Sequence, residues 1–138
     1  MYSTCYTICI MSPQDIIKYW QDTAAEDWAT AESLFETNHF SNALFFCHLS
    51  IEKLLKGLVY VKTNEPPLRI HNIEKLAQET RLSVPTEYHL YFDEITSWNM
   101  EARYDSIKRE FYTKATKQYS QRWMKIAKEI FLWLKKQY

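Results

Sequence analysis

His48, Glu52 and Lys56 stand at i, i+4 and i+8, a spacing that lays an imidazole, a carboxylate and an ammonium along one helix face. The positions around them are so apolar that these groups must either border a crevice or pair within the core. Two readings follow. One is an ordinary Glu–Lys pair with a neighbouring His on the single solvated edge of a buried helix. The other is a polar crevice that accepts a nucleotide, an RNA phosphate or a partner's side chain. Arg103-Tyr104 offers a similar choice. The Arg in this connection can reach back to a carboxylate such as Glu52, or can present its planar fork to phosphate.

The arrangements that declare a self-sufficient enzyme are missing from the sequence. Gly57 is its one glycine, so no glycine-rich phosphate loop can be built. His39, His48, His71 and His89 are scattered, with no HExxH and no Cys/His cluster to ligate a metal. Neither a metal nor a cofactor is expected. Cys47 falls on an apolar helical seam and reads as a small core residue before it reads as a nucleophile.

The elements that carry these residues are helical. Ser12-Pro13-Gln14-Asp15 combines a capping hydroxyl, a proline suited to the first helical position and an acid in the positive first turn. Ile17, Trp20, Ala24, Trp28, Ala31 and Phe35 then recur at helical spacing, with Asp22, Glu26, Glu32 and Glu36 facing outward. Ser41 can cap a second helix running to about Lys62. Leu44, Cys47, Ile51, Leu54, Leu58 and Val61 form its seam, and Phe45, Phe46, Leu49, Leu55 and Val59 make most of the rest apolar. A helix apolar nearly all round is buried on several sides, so this one should be the hub of the fold.

Thr63–Pro67 breaks the pattern. Asn72 can cap a short third helix through Ile73, Leu76 and Ala77, and Val84-Pro85 breaks it again. Tyr88, Tyr91, Phe92, Ile95 and Trp98 draw a fourth helix. A polar connection, Met100–Ile107, then leads into one long last helix carrying Ala115, Tyr119, Trp123, Ile126, Ile130 and Leu134 on one side.

The bulk properties agree with this layout. A chain of 138 residues fits one domain, domains most often being about 100–150 residues long. With 46% hydrophobic and 16% aromatic residues there is ample material for a core. One glycine and four prolines leave too few turn signals for a sandwich or barrel. No stretch approaches the roughly 20 uncharged apolar residues of a membrane span. Three cysteines, Cys5, Cys9 and Cys47, without metal-ligand spacing, favour a reduced cytosol.

Net charge is zero but polarised. Residues 13–101 hold 7 Lys+Arg and 14 Asp+Glu, whereas residues 102–138 hold 10 and 3. The contrast fits either helices of opposite sign lying side by side or a basic face for nucleic acid or an acidic partner. Residues 1–11 read as an N-terminal extension ahead of a domain over residues 12–138. Met11 stands directly before the helix start, so the leader is either optional or a short arm packed on the bundle.

Taken together, several segments resemble the HEPN family (higher eukaryotes and prokaryotes nucleotide-binding). They are Trp28–Ala31, Asn42–His48, Ile51-Glu52-Lys53-Leu54-Leu55-Lys56-Gly57-Leu58, His71-Asn72-Ile73 and Ala102-Arg103-Tyr104-Asp105. The likeness spans residues 12–136. It implies an all-α, up-and-down bundle of about five helices, commonly paired into a symmetric homodimer. Members of this type are often encoded beside a minimal nucleotidyltransferase, as toxin or substrate-binding partner in a toxin–antitoxin pair.

Catalytic members resembling this chain are metal-independent ribonucleases in which Arg is followed by His after four to six residues. Arg there steadies the phosphorane charge and His transfers protons. Here Arg103 and Arg109 have no His after them. Arg69 reaches His71 after one residue and Arg81 reaches His89 after seven. The resemblance therefore implies a noncatalytic subunit that binds a nucleotide, a nucleotidyltransferase partner, or both. His48, Glu52, Lys56, Arg103 and Tyr104 are its ligand-binding candidates. A degenerate ribonuclease using His48, His71 or Arg103 is the alternative, and a plain dimerising scaffold is the third.

Overall fold

A computed structural model describes residues 11–99 and 104–138, which form six α-helices and no strand. In chain order these are α1 (Pro13–Glu36), α2 (Phe40–Thr63), α3 (Ile73–Glu79), α4 (Thr86–Thr96), α5 (Asp105–Lys114) and α6 (Lys117–Lys135). The fold is the all-α bundle that the apolar periodicity implies. The expectations for residues 1–10 and 100–103, Arg103 among them, lie outside the described residues.

The first helix opens as its sequence dictates. Ser12 Oγ accepts from the Asp15 N–H at 3.2 Å, with Pro13 at the first helical position. Three residues then reverse the chain, and Asn38, at a φ of 65°, takes the left-handed turn conformation that Asn tolerates. So short a link between two 24-residue helices forces an antiparallel pair. Ala24 and Ala31, both fully buried, let the helices approach closely, and Ser50 Oγ donates to the Ala24 carbonyl at 3.0 Å.

The hub is α2, which packs against each of the other five helices. Leu44, Ile51, Leu54, Leu55 and Leu58 retain at most 1% exposure. Each such side chain contributes about 1.5–3 kcal/mol of burial, an upper estimate against an extended unfolded chain. Val61 lies beyond the last packed turn and is exposed.

Asn72 caps α3 as expected, its Oδ1 accepting from Lys75 N–H at 2.9 Å. The neighbouring Ile73 N–H, which the helix leaves over, donates to Thr96 Oγ1 at the end of α4 at 3.0 Å. An aromatic seam fastens α4 to α6. Trp98 and Tyr91 each meet Trp123 edge-on, and Tyr88 meets Trp133 in the same way. Beneath them Trp28 stacks on Phe131 at 4.9 Å, closing α6 onto α1.

Two boundaries differ from the sequence reading. The C-terminal region is two helices instead of a polar connection and one long helix. The chain breaks at Ala115 (φ −78°, ψ 61°), and Thr116 Oγ1 caps α6 by accepting from Tyr119 N–H at 3.2 Å. Ala115 is buried and keeps the apolar rhythm across the break, which hid the cap from periodicity. The start of α2 also lies earlier than expected. His39 occupies the N-cap position without a side-chain capping bond, and Ser41 falls inside the first turn instead of capping it.

Candidate functional site

In the middle of α2 the row His48–Glu52–Lys56 turns inward, and the solvated edge expected for it is not there. His48 is fully buried and Glu52 nearly so. The physical reason is the segment between α2 and α3, which comes back over the row and lays the main chain of His71 on it. His48 Nε2 lies 3.0 Å from the His71 carbonyl oxygen. A carbonyl can only accept, so Nε2 carries the proton of His48 and donates it.

Glu52 is the junction of the cluster. Its Oε1 lies 2.8 Å from His71 Nδ1 and its Oε2 3.2 Å from Lys56 Nζ, while His48 Nε2 stands 3.8 Å from Oε1. An ionised carboxylate accepts only, so Nδ1 of His71 is the donor in this bond. A buried carboxylate persists because it is paired and hydrogen-bonded. The cluster thus grades outward. His48 is buried, the Lys56 side chain is 12% exposed and the His71 side chain is 46% exposed.

Lys56 links this cluster to a cleft. A cavity of about 370 Å³ lies between the start of α1, the last turns of α2 and the proline loop. Tyr19, Trp20 and Tyr60 give it aromatic walls, Leu68 lies at its mouth, and Lys56 and Arg69 supply positive charge. Asn64 ends α2 in the left-handed conformation, and Pro66-Pro67 then stiffen the loop that returns Arg69 and His71 across the helix. Among the described residues no group of three or more His, Cys, Asp or Glu side chains is placed to hold a metal ion.

Of the sequence candidates, His48, Glu52 and Lys56 are brought together. Tyr104 precedes α5 with 80% of its surface exposed and does not line this cleft, and Arg103 lies outside the described residues. Sequence reasoning did not connect Glu52 with His71, nor Lys56 with Trp20, Tyr60 and Arg69. The available signal was the Pro66-Pro67 pair, which restricts the loop enough to bring its next residues back over α2.

The charge polarity of the chain leaves little trace in pairing. Of the described cations after residue 102, Lys114 pairs with a carboxylate, Glu94 of α4, at 2.5 Å. Tyr119 donates a short hydrogen bond to the same oxygen and accepts from Trp98 Nε1 at 3.0 Å.

The HEPN domain family model matches residues 17–137. The chain belongs to the HEPN family. The match covers the whole hub-and-bundle arrangement, from the first packed turn of α1 to the end of α6. No curated protein and no solved structure matches this HEPN chain at a significant level. No helix among the described residues is long and apolar enough to cross a membrane.

Proposed function

We propose that this HEPN protein is a noncatalytic binding subunit that takes a nucleotide in the cleft beside Lys56. One observation carries the reading: the aromatic side chains of Tyr19, Trp20 and Tyr60 line one cavity with the cations of Lys56 and Arg69. A nucleobase stacks on aromatic faces, and phosphate oxygens take charge-assisted hydrogen bonds from Lys and Arg. Glu52, itself bonded to His71, holds Lys56 from behind, which limits the side-chain entropy lost when a ligand is gripped. The same reading places the subunit beside a minimal nucleotidyltransferase in a toxin–antitoxin pair, as a cytoplasmic homodimer, on the strength of the family resemblance.

Trp20 reports on the cleft directly. Of the five tryptophans it is the one in this lining, so titration with ATP and GTP should saturably quench its share of the protein's fluorescence, and Arg69→Gln should weaken binding roughly tenfold, the loss of one charged hydrogen bond. Co-purification should recover a nucleotidyltransferase. A stable dimer that binds no nucleotide and recovers no such partner sinks the proposal in favour of a scaffold.

A second reading, a ribonuclease without the usual Arg–His spacing, draws on the Glu52–His71 pair. A carboxylate that fixes the tautomer of a half-exposed imidazole is the arrangement of a general base. Metal-free incubation with tRNA and mRNA separates the two. Cleavage abolished by His71→Ala would favour the ribonuclease, and intact RNA favours the binding subunit.

A further inference from the structure

Leu90, at 76% the most exposed aliphatic side chain among the described residues, stands on the outer face of α4. Tyr88, Phe92 and Ile95 already fill the opposite, buried face of that helix, so the core has no place for it. Glu87 and Asp93, three residues to either side, bracket Leu90 and are themselves exposed. Neither carboxylate forms an ion pair among the described residues, and α4 carries no Lys or Arg.

The neighbouring α6 repeats this pattern with the sign reversed. Leu132, 45% exposed, stands between Lys128 at i−4 and Lys135 and Lys136 at i+3 and i+4, all of them exposed. Lys125 extends the row toward the start of the helix, and Glu129 is the one acid in α6. Among the described residues these lysines pair with no carboxylate. Tyr88 meets Trp133 edge-on at 5.6 Å, so the stretches that carry Leu90 and Leu132 lie side by side.

We propose that these two faces form the interface between two copies of this chain, α4 of each copy lying on α6 of the other. Because the helices are neighbours, one two-fold axis makes both contacts at once, the self-complementary arrangement of a symmetric dimer. Leu90 of one copy then covers Leu132 of the other, with Glu87 and Asp93 facing Lys128 and Lys135. That is the apolar centre and polar rim of a protein interface. A net charge of zero leaves no long-range repulsion between copies. A nucleic acid would suit α6 alone, and the carboxylates of the adjoining α4 would repel its phosphates. The surface rests on the homodimer of the proposed function but not on its nucleotide, since no residue of α4 or α6 lines the cleft.

Sedimentation of the full-length protein over a concentration series reads the dimer. Glu87→Lys with Asp93→Lys should weaken it about a hundredfold, as should Lys128→Glu with Lys135→Glu, because each change sets like charges together in both contacts. Circular dichroism should show both variants folded. Mixed in equal amounts, they should pair with each other at close to the parent's affinity, because opposite charges face again. Leu90→Asp should also break the dimer, whereas Glu26→Lys with Glu36→Lys, an equal charge change on exposed α1, should leave it unaltered.

A dimer that survives the reversals, or reversed variants that fail to recombine, would overturn this surface and leave the homodimer standing. A protein that stays monomeric at high concentration would overturn both. RNA binding that is lost in Lys128→Glu with Lys135→Glu, without any dimer, would overturn the proposal and assign the basic face to nucleic acid.

Discussion

Glu52 accepts the Nδ1 proton of His71 at 2.8 Å, fastening the middle of α2 to the loop that precedes α3. Because Lys56 leans on the same carboxylate, the pair also sets where a cation enters the cleft. Removing the charge leaves Lys56 largely buried without a counter-ion. Glu52→Gln is therefore expected to cost about 2–4 kcal/mol, read as a lower urea midpoint at an unchanged slope. An unaltered midpoint would mean that the cluster holds nothing in place.

Gly57 lies where α2 meets α1 and the C-terminus. A Cβ built there would stand 2.2 Å from Tyr138 Oη and 2.8 Å from Trp20 Cβ. The tyrosine ring can swing aside by giving up its 2.5 Å bond to the Leu54 carbonyl, but Trp20 Cβ moves only if α1 moves. Overpacking should outweigh the gain of about 1 kcal/mol in helix propensity. Gly57→Ala is expected to lower Tm by several degrees and, because Trp20 walls the cleft, to weaken nucleotide binding as well. A thermal melt and the Trp20 titration check both.

Acid sensitivity should appear at Glu94. Burial alone would raise its carboxyl, but hydrogen bonds from Lys114, Tyr119 and Trp98 and the Lys114 charge hold it below the ordinary 4.5. A depressed folded value stabilises the fold fully above the unfolded value, and that contribution is lost as pH falls through the folded one. Glu94→Gln should thus be less stable than the parent at pH 7, by about 1 kcal/mol for a partly exposed group. The gap should close as pH drops below 4.5. Chemical denaturation across that range tests the sign.

Cys47 should be inert in the native protein. It is fully buried, with Sγ 3.1 Å from Met124 Sδ, and burial, aided by the Glu32 charge, pushes its thiol far above the ordinary range. The thiolate is the reactive species, so alkylation of the Cys47 peptide, followed by mass spectrometry, should wait for unfolding. Prompt labelling under native conditions would place Cys47 at an accessible surface.

Periodicity and caps made most of the fold legible. The Ser12 and Asn72 caps act as their side chains dictate, and the all-round apolarity of the segment from Leu44 to Val59 marked α2 as the hub. Cys47 was legible as core for the same reason. The break at Ala115-Thr116 was not, because a buried Ala keeps the apolar rhythm while a capping Thr interrupts only the backbone.

The amino-acid sequence by itself determined which helix would be buried and which polar side chains would share its face, since a period of 3.6 residues is a local property. Only the tertiary structure decided which of those groups reach solvent. The return of the 64–72 loop seals His48 under a carbonyl and sets Lys56 beside Arg69, and the approach of α5 brings Lys108 and Arg109 to the start of α2. Those pairings join residues far apart along the chain, and helical periodicity has nothing to say about them.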